Sequence, residues 1–294
     1  MMKKGIILVN AYYDLPAYLN QAYRLKEEFS KLGITADIVA SDGIGLYLSD
    51  GNVKLTDVPD FCIYYDKDKY LSQMLEKAGV RLFNPHSAIV ACDDKTTTLV
   101  ALAGNGIPMP DTVSGLLCFT PEKKVSKETL DNIENTLGYP LIAKESYGSL
   151  GKGVYKIDDR EKLERIAEKL KTKPHLYQKY VATSYGRDMR VVVVGGKTVA
   201  AMIRRSNGDF RSNIELGGKG EKLEADERLK ALSEKVARLL SLDYCGIDWL
   251  FGENGEPVLC EVNSNAFFGG IEHVTGINVA KAYAEHVNNV IYGK

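Results

Sequence analysis

The segment from Cys245 to Asn263 constrains the fold of this 294-residue chain more than any other stretch. It reads CGIDWLFGENGEPVLCEVN, with an apolar run on each side of Asn254-Gly255. A two-residue Asn-Gly loop between apolar runs is a strong hairpin signal, because both loop residues must adopt positive φ. The sequence therefore predicts an antiparallel hairpin here.

The register of this hairpin follows from counting back along the two strands from the turn. The count places Phe251 opposite Val258, and Asp248 opposite Glu261. Side chains alternate between the faces of a strand, so Asn263 shares the face of Glu261. The opposite, apolar face is predicted to carry Val258, Cys260 and Val262.

The predicted polar face brings two carboxylates together. Like charges directly opposite in a sheet are destabilising, so Asp248 over Glu261 with a neighbouring Asn263 amide favours a bound cation. Oxygen ligands of this kind suit Mg2+, with Mn2+ as an alternative ion. A solvated edge hairpin with idle acidic residues is the competing interpretation. If the carboxylates repel each other, removing either charge should leave the fold intact.

Composition narrows the class of protein. The chain is 45% hydrophobic and 26% charged with a formal net charge of -1, which is typical of a globular protein with a sizeable core. Its basic residues form no block, so we expect no nucleic-acid partner. The apolar run after MMKK ends at Asn10, too short for a signal peptide or a membrane span. Five cysteines without a C-x-x-C pair favour a reducing cytoplasm.

The first ninety residues alternate between strand-like and helix-like patterns. Such an alternation predicts a mostly parallel sheet. No glycine-rich turn follows the first strand, so a dinucleotide site of the Rossmann type is not expected. The predicted strands are Gly5 to Asn10, Ile34 to Val39, Phe61 to Tyr65 and Val80 to Phe83, and the predicted helices are Ala17 to Leu32 and Lys69 to Ala78.

The rest of the chain adds two segments rich in β structure. A strand from Leu141 to Glu145 leads into the glycine-rich stretch SYGSLGKGV, whose glycines would let backbone amides approach phosphate oxygens. Lys144 lies on that strand, and a buried lysine requires an anionic partner. Further on, Gly195-Gly196 predicts a second hairpin. A helical pattern from Glu224 to Leu240 directly precedes the acidic hairpin.

These motifs, in this order, resemble the ATP-grasp superfamily and its RimK-like branch of glutamate and amino-acid ligases. The resemblance covers nearly the whole chain. It implies an α/β fold, α+β in the C-terminal part, with an N-terminal parallel α/β domain at 1–93, a central lid domain at 94–178 and a C-terminal antiparallel-sheet domain at 179–294. The motifs are Asp94-Lys95, Gly106-Ile107-Pro108, GSLGKGV, QKYV, Asp188-Met189-Arg190, VVVVGG, DFRSN, GIDWL and EVN.

The resemblance also implies a role for each matching residue. The ATP-binding residues would be Lys95, Lys144, Gly148, Ser149, Gly151, Gly153, Gln178, Lys179, Tyr180, Val181, Asp188 and Ser212. Arg204, Arg211 and Asn213 would be catalytic, and Asp248, Glu261 and Asn263 would bind Mg2+. The one departure is Lys179, where relatives often carry an acidic residue.

The implied activity is ATP-dependent ligation of a carboxylate to an amine through an acyl phosphate. The partners would be a small-molecule or peptide carboxylate and an amino acid such as glutamate, without a membrane. A phosphotransferase and a nucleotide-binding module without turnover are the alternatives. Whether the chain forms a homo-oligomer stays open, as does the identity of the acceptor, for which the loops at 12–19 and 118–124 are the candidate determinants.

Overall fold

A computed structural model describes residues 3–12, 16–148, 151–206, 208–212 and 218–293. Over this range the chain forms three main sheets, one hairpin and nine α-helices. Within these ranges no helix combines the length and apolarity needed to cross a membrane. The predicted Ser149 and Asn213 lie outside the described residues.

The amino-terminal sheet confirms the predicted parallel α/β arrangement. Its strand order is β2-β1-β5-β6, and every pair is parallel. The strands are β1 (Lys4–Val9), β2 (Thr35–Ala40), β5 (Phe61–Tyr65) and β6 (Arg81–Phe83), with helices α1 (Pro16–Lys31), α2 (Lys69–Lys77) and α3 (His86–Asp93).

Sequence reasoning missed the small hairpin of β3 (Leu46–Ser49) and β4 (Asn52–Leu55). Its turn is Asp50-Gly51, and both residues have positive φ, at 51° and 73°. An Asp-Gly pair between strand-like segments is a recognised hairpin signal, so the information was present in the sequence.

The central sheet is antiparallel, in the order β7-β10-β8-β9. One face packs its apolar residues against two helices, and the other carries Ile142, Lys144 and Gln178 toward a cavity. Helix α6 was not predicted, although Asp159 caps it and its leucines recur at helical spacing. The elements are α4 (Lys95–Leu102), β7 (Thr112–Ser114), α5 (Lys127–Leu137), β8 (Leu141–Glu145), β9 (Val154–Ile157), α6 (Arg160–Leu170) and β10 (His175–Lys179).

The C-terminal sheet has five antiparallel strands in the order β13-β12-β11-β14-β15. The predicted Gly195-Gly196 hairpin joins β11 to β12 and is confirmed. The elements are β11 (Arg187–Val194), β12 (Lys197–Arg205), β13 (Lys219–Lys222), α7 (Glu227–Leu239), β14 (Tyr244–Phe251), β15 (Pro257–Asn263), α8 (Gly269–Thr275) and α9 (Val279–Tyr292).

Three large cores hold the sheets. One joins the amino-terminal sheet to α8, α9 and one face of the C-terminal sheet. A second packs α7, together with Leu102 and Ile107, against the other face. The third lies within the central sheet and its helices. The division into domains at 93/94 and 178/179 stays a prediction. Helix α4 belongs to the predicted central domain, but it packs on the C-terminal sheet.

The acidic hairpin is confirmed with one correction of register. Asp248 pairs with Glu261 as predicted, but Phe251 lies opposite Pro257 and not Val258. The turn is one residue longer than a two-residue loop, because Gly252 N donates to Glu256 O at 2.7 Å. The register shifts again between Asp248 and Trp249, at a β-bulge. This second shift offsets the longer turn and restores the predicted pairing of Asp248 with Glu261.

The bulge changes the direction of Cys260. This side chain was predicted to point into the apolar core, yet it lines a cavity beside Lys144, while Leu259 and Val262 on either side are core residues. An extra residue in a strand interrupts strict alternation. The prediction for Cys260 was therefore wrong.

Candidate functional site

Two cavities meet at the acidic hairpin. The inter-sheet cavity lies between the central and C-terminal sheets and is lined by Lys95, Lys144, Gln178, Asp188, Arg211 and Cys260, among others. The amino-terminal cavity, of about 300 Å³, is lined by Asn10, Tyr18, Tyr65, Asp66, Arg190, Arg204, Asn263 and Phe267, among others. Both cavities include Gly151, Asp248 and Glu261 in their walls.

An ion-pair network covers the face of the C-terminal sheet between the cavities. Arg204 donates to both carboxylate oxygens of Asp188, at 2.7 and 2.5 Å, and lies 2.9 Å from Asp248. Arg190 donates to both oxygens of Asp248. The hydroxyl of Ser212 completes the shell by donating to Asp188 at 2.5 Å. Two buried carboxylates are thus held by two guanidinium groups.

The network decides the charge state of its members. Burial alone would raise the pKa of Asp248, but Arg190 and Arg204 hold this pKa below its usual value. Burial alone would lower the pKa of Arg204, and the neighbouring Asp248 and Asp188 raise it instead. Asp248 and Arg204 are therefore both charged at neutral pH. The repulsion expected between Asp248 and Glu261 is largely removed by these arginines.

The structure brings the two predicted phosphate-contacting lysines to one wall of the inter-sheet cavity. Lys95 Nζ donates to Gly148 O at 2.8 Å and lies 3.8 Å from Glu261 Oε1. Lys144 Nζ lies 4.0 Å from Cys260 Sγ. Burial raises the pKa of Cys260 to about 11, although Lys144 partly opposes this shift, so the cysteine is a neutral thiol. Both lysines can meet an anion in this cavity.

The glycine-rich loop approaches the same cavity from the central sheet. Gly148, Gly151 and Gly153 have φ of 149°, 70° and 71°, values that side-chain-bearing residues rarely adopt. Arg211 Nη1 donates to Gly151 O at 2.9 Å and ties the loop to the C-terminal sheet. Arg211 also pairs with Asp209 at 2.7 Å, which raises the pKa of Arg211.

The segment from Gln178 to Val181 lines the edge of the inter-sheet cavity, as expected for a nucleotide-binding strand. Gln178 is buried and donates to Thr112 Oγ1 at 3.0 Å. The Lys179 side chain is exposed and lies among the lining residues, so the departure from the family pattern places a positive charge at the edge of the cavity. The buried hydroxyl of Tyr180 has no hydrogen-bond partner among the described residues.

The predicted metal ligands share one side of the acidic hairpin. Asp248 pairs with Glu261, and Asn263 pairs with Gly246 in the same ladder. All three line the amino-terminal cavity. Two carboxylates and one amide oxygen fit a hard cation that completes its shell with phosphate and water. The described residues contain no group of three or more His, Cys, Asp or Glu side chains that could form a metal cage by themselves.

The two predicted catalytic arginines do not converge on one point. Arg204 lines the amino-terminal cavity and Arg211 lines the inter-sheet cavity. The donors of Arg204 are directed at Asp188 and Asp248, so this residue acts first as a structural counter-ion. Its catalytic role stays a prediction, as does the assignment of Asp188 to ATP binding.

Sequence reasoning quoted Arg190 only as part of a motif, without a role, and it missed most of the amino-terminal cavity. Tyr18 was included only in the loop at 12–19, and Asn10, Tyr65, Asp66 and Phe267 were not assigned to the site. Asn10 follows β1, and Tyr65 and Asp66 lie at the end of β5. The carboxyl ends of parallel strands are where open α/β sheets bind ligands, so this position was a signal that could have been used. The loop at 118–124 contributes Cys118 and Lys124 to a separate cavity of the central sheet.

We expect Lys144→Ala to weaken ADP binding more than Lys152→Ala does. Lys144 is held on a strand, whereas Lys152 is exposed in the loop and must be ordered at an entropic cost. Calorimetric titration of ADP with Mg2+ into both variants measures the difference. Equal losses, or a larger loss for Lys152→Ala, would contradict the assignment of Lys144.

Comparison with known structures identifies the fold. The ATP-grasp ligase PsnB, solved in complex with a phosphomimetic variant of minimal precursor, Mg and ADP, superposes with a TM-score of 0.68 and 18% identity, covering 98% of this chain and 99% of that one. The fold and the two-sheet cavity thus define an ATP-grasp protein. The model of the RimK-like ATP-grasp domain matches residues 92–287. The chain belongs to the RimK-like ATP-grasp family.

Two curated relatives extend the comparison. N-acetylaspartylglutamate synthase A from Homo sapiens is 37% identical over 242 residues, which are 82% of this chain and 60% of that protein. A probable alpha-L-glutamate ligase from Maridesulfovibrio salexigens is 33% identical over 218 residues, covering 73% of this chain and 69% of that protein. The chain thus spans about 60% of the length of the human relative.

Proposed function

We propose that the protein is an ATP-dependent carboxylate-amine ligase that adds glutamate to an acid. One observation carries the proposal. The inter-sheet cavity and the amino-terminal cavity share the carboxylates of Asp248 and Glu261, so a nucleotide in the first can present its terminal phosphate to an acid in the second. A protein that only bound a nucleotide would not require the second cavity.

The nucleotide would lie in the inter-sheet cavity. Lys95 and Lys144 are placed to neutralise its phosphates, and the main chain of Lys179 to Val181 lies at the edge suited to a base. This cavity is about 120 Å³, below the range of roughly 300–1,000 Å³ usual for sites of larger ligands. We propose that the central sheet moves away from the C-terminal sheet when the nucleotide binds.

Asp248, Glu261 and Asn263 would hold Mg2+, or Mn2+ in its place, at the junction of the two cavities. A divalent ion supplies charge neutralisation for the transferring phosphoryl group when it is bound. Support comes from the donor set and from the solved structure of PsnB, which is a complex with Mg and ADP.

The chemistry requires activation of the acid, because a carboxylate has no leaving group that an amine can displace. A carboxylate oxygen attacks the γ-phosphorus of ATP, the bond to ADP breaks, and an acyl phosphate forms. The amine then attacks the carbonyl carbon, phosphate leaves, and the nitrogen loses a proton. Arg211 lies on the nucleotide side, where its guanidinium can stabilise the charge that spreads over the transferring oxygens.

The names of the relatives indicate the substrates. Both refer to glutamate, which we propose as the amine, and a small acid of the size of N-acetylaspartate fits the scale of the amino-terminal cavity. We also propose that the protein acts in a reducing cytoplasm, since its five cysteines are free thiols. Nucleic acid and membrane have no part in the proposed reaction.

The proposal is tested by product analysis. With ATP, Mg2+ and N-acetylaspartate as the acid, ADP release should depend on glutamate, and hydroxylamine in place of glutamate should trap a hydroxamate. Arg211→Lys should lower the rate of hydroxamate formation by roughly 100-fold, because lysine lacks the planar fork. A stable phosphorylated acid, formed without any hydroxamate, would favour a phosphotransferase instead.

A further inference from the structure

Arg190 occupies a position that the proposed reaction leaves unexplained. It follows Asp188 by two residues on β11 and therefore faces the same side of the sheet. Its cross-strand partner on β14 is Asp248, with which its guanidinium makes a two-pronged contact. The side chain is 12% exposed, and that exposed part lines the amino-terminal cavity.

Gly246 allows the Arg190 side chain to lie close to β14. A Cβ atom placed on Gly246 would lie 2.4 Å from Ala266 Cβ, 3.3 Å from Arg190 Cδ and 3.4 Å from Arg190 Nη1. Gly246 is followed two residues later by Asp248 on the same face of β14, so the arginine stem lies across the glycine to reach the carboxylate. Because this stem is long and unbranched, rotation about its side-chain torsions can turn the guanidinium from Asp248 toward the amino-terminal cavity, which Arg190 also lines.

The two arginines at Asp248 are not equivalent. Arg204 is also fixed by Asp188 through two hydrogen bonds and is 4% exposed. Among the described residues, Arg190 makes polar side-chain contacts with Asp248 alone. If Arg190 leaves, Asp248 keeps Arg204 as a partner, and no buried charge is left without one. Arg190 is thus the displaceable member of the pair.

A divalent ion at Asp248 and the Arg190 guanidinium are competitors, because both are cations that use the same carboxylate oxygens. We propose that Arg190 occupies Asp248 while the nucleotide is absent and turns into the amino-terminal cavity when metal and nucleotide bind, where it takes the carboxylate of the acid substrate. This inference rests on the proposed function for the location of metal and nucleotide.

The released guanidinium is the cation best suited to that carboxylate. Three basic side chains line the described part of the amino-terminal cavity: Lys67, Arg190 and Arg204. Lys67 is already paired with Asp93 at 2.8 Å, and Arg204 stays with Asp188. A planar guanidinium binds a carboxylate through two parallel hydrogen bonds. The acid would then bind well only after metal and nucleotide, which avoids an unproductive acid complex.

The proposal predicts that Arg190→Gln binds Mg2+ and ADP more tightly than the wild type. If Arg190 holds Asp248 in about 90% of molecules, removing this competitor tightens the apparent Kd roughly tenfold. Calorimetric titration of ADP in the presence of Mg2+ measures this, and Arg190→Lys should fall between the two. The control is Arg205→Gln. Arg205 pairs with Glu221 outside both cavities, so this substitution should leave the Kd unchanged.

A second measurement uses the wild-type protein. Phenylglyoxal labels accessible guanidinium groups, and peptide mass spectrometry assigns the label to each arginine. Labelling of Arg190 should rise several-fold when Mg2+ and ADP are added, whereas labelling of Arg205 should not change. Equal or weaker Mg2+ and ADP binding by Arg190→Gln, or no rise in labelling, would overturn this inference alone. A wild type that binds no ADP with Mg2+ would overturn the proposed function as well.

Discussion

Arg204→Met is expected to lower the free energy of unfolding by about 3–5 kcal/mol. The substitution leaves Asp188 with only the Ser212 hydroxyl and Asp248 with only Arg190, in a region where both carboxylates are almost fully buried. Leaving a buried charge without its partner destabilises the fold by much more free energy than forming the ion pair contributes. Urea denaturation followed by circular dichroism measures the effect.

Arg205→Met is the matched control for this measurement. Arg205 follows Arg204 on the same strand and pairs with Glu221 at 3.0 Å, but its side chain is 43% exposed. Surface pairs of this kind contribute about 0–1 kcal/mol, so the control should remain close to the wild type. If Arg204→Met were as stable as Arg205→Met, the network would not be a structural element, and the predicted catalytic role of Arg204 would gain support.

Glu261→Gln and Asp248→Asn are expected to abolish activity in different ways. Glu261→Gln should lower kcat by at least about 100-fold while changing the free energy of unfolding by less than about 1 kcal/mol. Its carboxylate is partly exposed and lies 3.8 Å from Lys95, so the fold hardly depends on it. Asp248→Asn should lose activity and also about 3 kcal/mol of stability, because it leaves two arginines facing a neutral amide.

This pair of variants corrects an expectation from the sequence. Two opposed carboxylates suggested that removing either charge would relieve repulsion and leave stability unchanged. The structure places guanidinium groups on Asp248 and not on Glu261, so the two should differ. Equal stability of both variants in the absence of metal, measured by thermal unfolding, would argue against the network as described.

The acidic hairpin shows which residue pairings can be predicted by counting from the turn. Asp248 was placed opposite Glu261 by assuming a two-residue loop and regular strands. The observed loop is longer and β15 contains a bulge, and these two departures offset each other at the pair that matters. The two departures do not offset each other at Phe251 and Cys260, which lie between the turn and the Asp248–Glu261 pair. The predictions for these two residues were therefore wrong.

The sequence by itself determined the features that depend on neighbours in the chain. These are the alternating first sheet, the two hairpins at glycine-containing turns, the lysine on β8 and the ordered motifs that identified the family. Turn chemistry, side-chain periodicity and motif spacing are all local properties, so they can be read without knowing the fold.

Only the tertiary structure decided which charges meet. Arg190 and Asp248 are 58 residues apart, and Arg204 reaches Asp188 and Asp248 from a third strand. The amino-terminal cavity likewise combines residues from β1, β5 and the segment after β15, separated by about two hundred positions. Strand order and the bulge set these contacts, and both result from packing among distant segments, for which no spacing in the sequence is a signal.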